Sequence, residues 1–146
     1  MTFKANAYWR VGTCGSVQGN PTAKAVEFSA PVEFGGESGL WSPEHLLLAA
    51  VASCFVTTFK AIAGASKFQP VSLGVVVEGV VEKGEGGYAF NRVILTPELT
   101  VDRESDRLRG VQLLEKTELA CLISRSLKAA VIMPARVAVV LGGIAA

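Results

Sequence analysis

Charge is scarce in this chain. Of its 146 residues only 18% are Asp, Glu, Lys or Arg, and fourteen positive against thirteen negative side chains leave a net charge of +1. No basic run or stripe occurs, which excludes the counterion-displacing surface that nucleic-acid binding needs. Histidine is nearly absent: His45 stands alone, and it reads as a surface or loop-facing side chain. The three cysteines, Cys14, Cys54 and Cys121, lie far apart in the chain. No local metal-chelating motif can be drawn from these four residues. A Gly-x-Ser-x-Gly nucleophile elbow is also missing. The segment Gly35-Gly36-Glu37-Ser38-Gly39 lacks the lysine and the spacing of a phosphate-binding loop.

Long hydrophobic runs are missing too. The longest, Leu46 to Phe59, contains Ser53, Thr57 and Thr58 and is followed by Lys60. It falls short of the roughly 20 apolar residues that span a bilayer. The opening Met1 to Asn6 offers no apolar signal core, so a cytoplasmic protein without a membrane partner is expected. Three cysteines in such a chain argue against a structural disulfide framework. They fit free thiols, or a redox pair that cycles.

What is present is apolar: half the residues are hydrophobic. That surplus needs a large core or a subunit interface, and an obligate homodimer is the expected sink. No repeat, low-complexity tract or linker interrupts residues 1–146, which read as one domain.

Phe3 to Val11 is strand-like and ends at Gly12. Gly15, Gly19, Asn20 and Pro21 punctuate a turn before Ala23 to Phe28, which alternates as a half-buried strand does. The two runs read as a hairpin, followed by a glycine-rich loop. Ser42-Pro43-Glu44 then opens a helix: an N-cap, a proline suited to the first turn, and a carboxylate at the positive dipole end. The helix is expected to reach Ala63 or Gly64. Its middle, Leu46 to Ala52, has no polar face, so it must be covered on every side.

Val71 to Lys83 and Tyr88 to Thr96 form a second hairpin around Gly84-Glu85-Gly86-Gly87. A polar start at Asp102 to Asp106 leads into a helix with Leu108, Val111, Leu114 and Cys121 on one face. Val131 to Val140 is a last strand, with Pro134 at an edge or bulge. The order β-β-α-β-β-α-β is α+β with antiparallel hairpins.

Taken alone, Cys54 and Cys121 have a plain reading. Each lies in an apolar helical setting, where free cysteine behaves as a small hydrophobe. Their spacing says nothing about proximity, so packing and redox chemistry both stay open on the residues themselves.

The stretch Ser42 to Phe55 resembles the signature helix of the OsmC/Ohr family, in which a Pro-Glu pair opens a long apolar helix and a Cys-Phe pair follows. Glu44 and Cys54 have the family's spacing. Ala120-Cys121-Leu122-Ile123-Ser124 followed by Leu127-Lys128-Ala129 resembles the second signature, with Leu122 where proline is common. The resemblance implies a thiol-dependent peroxidase that reduces organic hydroperoxides, and hydrogen peroxide less well. Cys54 would be peroxidatic, Cys121 resolving, and Glu44 part of the site. A dithiol or a lipoylated protein would reset the pair, with neither metal nor flavin cofactor. It also implies an OsmC-like fold: an intertwined homodimer with antiparallel sheet wrapped around long central helices.

Elementary chemistry qualifies these implications. Ten residues of straight helix separate Glu44 from Cys54 by roughly 15 Å, so Glu44 could serve that thiol only from a second subunit. A free thiol has a pKa near about 8.5 and burial raises it, so a cation beside Cys54 is expected. The family's arginine from the first hairpin would fall near Thr13 or Cys14, where none stands; Arg10 is the nearest and Lys24 a further candidate. Cys14 reads as a turn thiol, either incidental or a third participant. The alternative to an enzyme is a non-catalytic OsmC-like dimer that binds a small apolar or thiol ligand, or senses oxidation.

Overall fold

Strand β1 (Ala5–Val11) turns at Gly12, whose φ of 55° is left-handed, and pairs antiparallel with β2 (Cys14–Gly19). Strand β3 (Val26–Ser29) then pairs antiparallel with β2, giving a meander in the order β1-β2-β3. The computed structural model describes residues 1–19, 23–134 and 138–141. Its contacts fall into two compact units, residues 1–47 and 48–146.

The expected two-stranded hairpin is therefore a three-stranded sheet. Gly15 read as a turn residue, yet it lies inside β2 opposite Trp9. A Cβ there would run into the Tyr8 carbonyl and the Phe28 ring, so glycine permits the close approach of neighbouring strands. The expected turn position of Cys14 is corrected as well. It is a buried β2 residue, 3% exposed, in register with Val11 and Ser29.

After a 3₁₀ turn at Val32–Phe34, Trp41 bridges to Phe28 and the chain enters α1 (Pro43–Ala65). Ser42 is the N-cap: its Oγ accepts the His45 amide at 3.2 Å and meets His45 Nδ1 at 2.8 Å. His45 is exposed, as expected. The division between the two units falls within α1.

In the second unit, β4 (Ser72–Gly84) and β5 (Gly87–Val101) form a long antiparallel hairpin. Helix α2 (Arg107–Ala120) and the short α3 (Leu122–Ser126) follow, and then β6 (Ala130–Ile132) and β7 (Ala138–Leu141). Both last strands pair with β5 in parallel, at Arg92–Ile94 and at Glu98–Val101. The single last strand expected from Val131 to Val140 is thus two pieces, with Pro134 in the interval between them. Parallel pairing follows from the helical crossover, which returns the chain in the direction of β5. Among the described residues neither β6 nor β7 pairs with β5 at Pro97.

One face of β5 is buried with the strand period of two, at Val93, Leu95, Leu99 and Val101. The same core takes Val51, Phe55, Phe59 and Ala63 from α1, a stripe with one residue per helical turn. Leu113 and Leu114 of α2 close it. By length and composition α1 could also cross a membrane, since an 18-residue window has a mean hydropathy of 2.0. Its stripe nevertheless does the work of a core helix, and the remaining apolar faces are only partly covered within one chain.

Candidate active site

The periodicity that buries Phe55 also places its neighbour. Cys54 lies one residue, about 100° of helix, before the core stripe, and is half-buried on the flank of α1. Thr58 follows one turn later on the same face, with Oγ1 3.8 Å from Cys54 Sγ. Other hydroxyls of this segment turn back to the backbone: Ser53 Oγ to the Ala50 carbonyl, and Thr57 Oγ1 to those of Ser53 and Cys54.

Cys121 sits where α2 ends and α3 begins. Its ψ of 114° is extended, so it is at once the C-cap of one helix and the N-cap of the next. Its amide still closes on the Thr117 carbonyl at 2.9 Å, and its carbonyl accepts the Arg125 amide at 3.1 Å. The first amides of a helix have no partner within it. Here those of Leu122 and Ile123, together with the Cys121 thiol, favour the anion of Cys54. Residues 67 apart in the chain thus act on each other's ionisation.

The two thiols are driven in opposite directions. Burial pushes Cys54 up, but the Ile123 amide, the Cys121 thiol, the Thr58 hydroxyl and the Leu122 amide together outweigh it, and its pKa falls below the ordinary thiol value. Burial dominates at Cys121 and raises its pKa; Ser124 opposes this, while the anion forming on Cys54 adds to it. The Ser124 hydroxyl is buried and has no hydrogen-bond partner among the described residues. Cys54 is thus the more readily ionised thiol of the pair, and the fully buried Cys121 the less readily ionised one.

The pH dependence follows from these directions. Limiting iodoacetamide at pH 7 is expected to modify Cys54 before Cys121. Its rate should climb with pH as Cys54 ionises, and level off below the pH at which an unperturbed thiol would. Peptide mapping with stopped alkylation reads both, and equal labelling of the two cysteines would contradict the assignment.

The groups that hold Cys54 down are two amides, a thiol and a hydroxyl. Arg10, the expected cation, forms an exposed ion pair with Glu27 at 2.6 Å within the three-stranded sheet of the first unit. Glu44 occupies the first turn of α1, with one carboxylate oxygen buried and lacking a hydrogen-bond partner among the described residues. The groups named at Cys54 belong, like Cys54, to the second unit. Among the described residues no cluster of His, Cys, Asp and Glu could hold a metal.

Sequence reasoning missed Thr58 and the α3 amides. Thr58 carried a readable signal, four residues beyond Cys54 in a helix. The amides carried none, because backbone groups have no sequence identity and α3 is placed by tertiary folding.

A long apolar helix packed on a β-hairpin, with a thiol pair between that helix and the α2–α3 junction, defines the class. The family model for OsmC-like proteins matches residues 35–133, and the chain belongs to that family. It is 28% identical over 144 residues to YmaD of Bacillus subtilis, an uncharacterised protein, covering 97% of this chain and 95% of that one. Peroxiredoxin OsmC of Escherichia coli is 27% identical over 133 residues, covering 86% and 90%. Among solved structures, an organic hydroperoxide resistance protein OsmC of Legionella pneumophila superposes with a TM-score of 0.76 at 23% identity, covering 97% and 98%. The expected mixed α+β fold of this family is thereby established.

Proposed function

We propose that this protein is a thiol-dependent peroxidase that reduces organic hydroperoxides. The observation that carries the reading is the asymmetry of the two thiols: Cys54 is half-buried beside the Thr58 hydroxyl with its pKa lowered, and Cys121 is fully buried with its pKa raised. The Cys54 thiolate attacks the outer oxygen of ROOH, the O–O bond breaks, and RO⁻ leaves to be protonated to the alcohol. Cys54 is then a sulfenic acid. The Cys121 sulfur displaces its hydroxyl, forming the Cys54–Cys121 disulfide and water, and an external dithiol reduces the disulfide while being oxidised to its own. Cys54 takes the role of nucleophile because it is the more readily ionised and the more accessible of the two. No flavin or metal enters these steps.

The apolar flanks of α1 favour an alkyl hydroperoxide over hydrogen peroxide. They also favour a homodimer as the working unit, since one chain buries only a stripe of a helix that is apolar all round. Three free cysteines suit a reducing, cytoplasmic setting and a dithiol or lipoylated-protein reductant.

A second reading is a non-catalytic dimer that binds a small apolar or thiol ligand or senses oxidation, favoured by the engagement of Arg10 with Glu27. Mass spectrometry after one equivalent of cumene hydroperoxide separates the two. A Cys54–Cys121 disulfide, with turnover when dithiothreitol is added, supports the peroxidase. Scattered oxidation without turnover supports the second reading.

A further inference from the structure

We propose that Thr58 is a positioning residue for Cys54, its hydroxyl holding the sulfur toward the first turn of α3. A helical serine or threonine ordinarily returns its hydroxyl to the carbonyl three or four residues earlier. Ser53 and Thr57 do so. For Thr58 the carbonyl four residues earlier belongs to Cys54. That oxygen lies where the helix directs the Thr58 amide, and it also accepts the Thr57 hydroxyl at 3.1 Å. A carbonyl has two lone pairs, so this acceptor is full. The Thr58 hydroxyl instead faces the sulfur, 3.8 Å away, and donates to it once the thiolate forms.

The consecutive threonines therefore divide the work: Thr57 occupies the carbonyl, and Thr58 is turned to the side chain. The sulfur that Thr58 holds is the one that also meets the Leu122 and Ile123 amides. Fixing it from α1 sets it against those donors instead of leaving it free to rotate.

Thr58→Val keeps the shape and β-branching of the side chain and removes the donor. Its pH profile for iodoacetamide labelling of Cys54 should move to higher pH, with a rate about three- to tenfold lower at pH 7 and wild-type rates at pH 10 and above. Thr58→Ser should restore the wild-type profile. Thr58→Ala, checked by circular dichroism for an intact helix, supplies the same comparison if valine disturbs the packing.

An unshifted profile would overturn the role, and so would a loss of rate that is the same at every pH, because that reports access alone. The inference deepens the peroxidase reading, but its labelling arm uses no peroxide. A shifted profile in a protein that never turns over hydroperoxide would leave Thr58 in place and remove the peroxidase.

Discussion

Cys54→Ser should lower kcat/KM for tert-butyl hydroperoxide by at least about 10³-fold while leaving the far-ultraviolet circular dichroism unchanged. The substitution exchanges one atom on the half-buried flank of α1, so packing is little altered. What is lost is the sulfur whose anion the amides of Leu122 and Ile123 favour. A serine hydroxyl stays protonated at neutral pH and cannot attack the O–O bond. Cys121→Ser is the informative companion. It should still react once, leaving Cys54 as a sulfenic acid that dimedone traps, and it should fail to turn over. Full activity in Cys54→Ser, read by coupled peroxide consumption, would remove the catalytic assignment altogether.

The largest expected effect on stability comes from the next residue. Phe55→Ala should cost about 3–5 kcal/mol, because a fully buried aromatic leaves a cavity that its neighbours only partly fill. In a chain of this length, that lowers the thermal midpoint by roughly 10 °C. Phe55 belongs to the cluster joining α1 to Leu95, Leu99 and Leu114, so the cavity would open between helix and sheet. Phe55→Leu retains most of the volume and should cost less than half as much. Chemical denaturation followed by tryptophan-independent circular dichroism measures both. A loss below about 1 kcal/mol for the alanine variant would mean that the core is not closed around this ring.

The two experiments separate chemistry from scaffold at adjacent positions. On a helix, neighbours point about 100° apart, so Phe55 serves the core and Cys54 the site. Sequence patterning carries that distinction well for α1. Its N-cap at Ser42, its first-turn proline and its extent to within two residues of the observed end were all visible, because helix signals are local. The β4–β5 hairpin was visible for the same reason, with glycines between two runs rich in Val, although β5 runs five residues past the expected Thr96.

Strand β2 was not visible. Cys14 to Gly19 holds two glycines and reads as a turn until the strands on either side are in place. Nor was the direction of β6 and β7, which depends on the route the chain takes through α2 and α3. The pairing of Arg10 with Glu27 was not visible either, because the two lie on strands that only folding brings side by side.

By itself the sequence determined the apolar α1, the β4–β5 hairpin and, through the Pro-Glu and Cys-Phe signatures, the resemblance that drew attention to two cysteines. Only the tertiary structure decided that Cys54 and Cys121 act on each other, with their pKa values shifted in opposite directions. Hydrophobic period and capping are properties of neighbours in the chain. A thiol's acidity is set by the few groups within hydrogen-bonding reach, and here most of those come from the α2–α3 junction, more than sixty residues away.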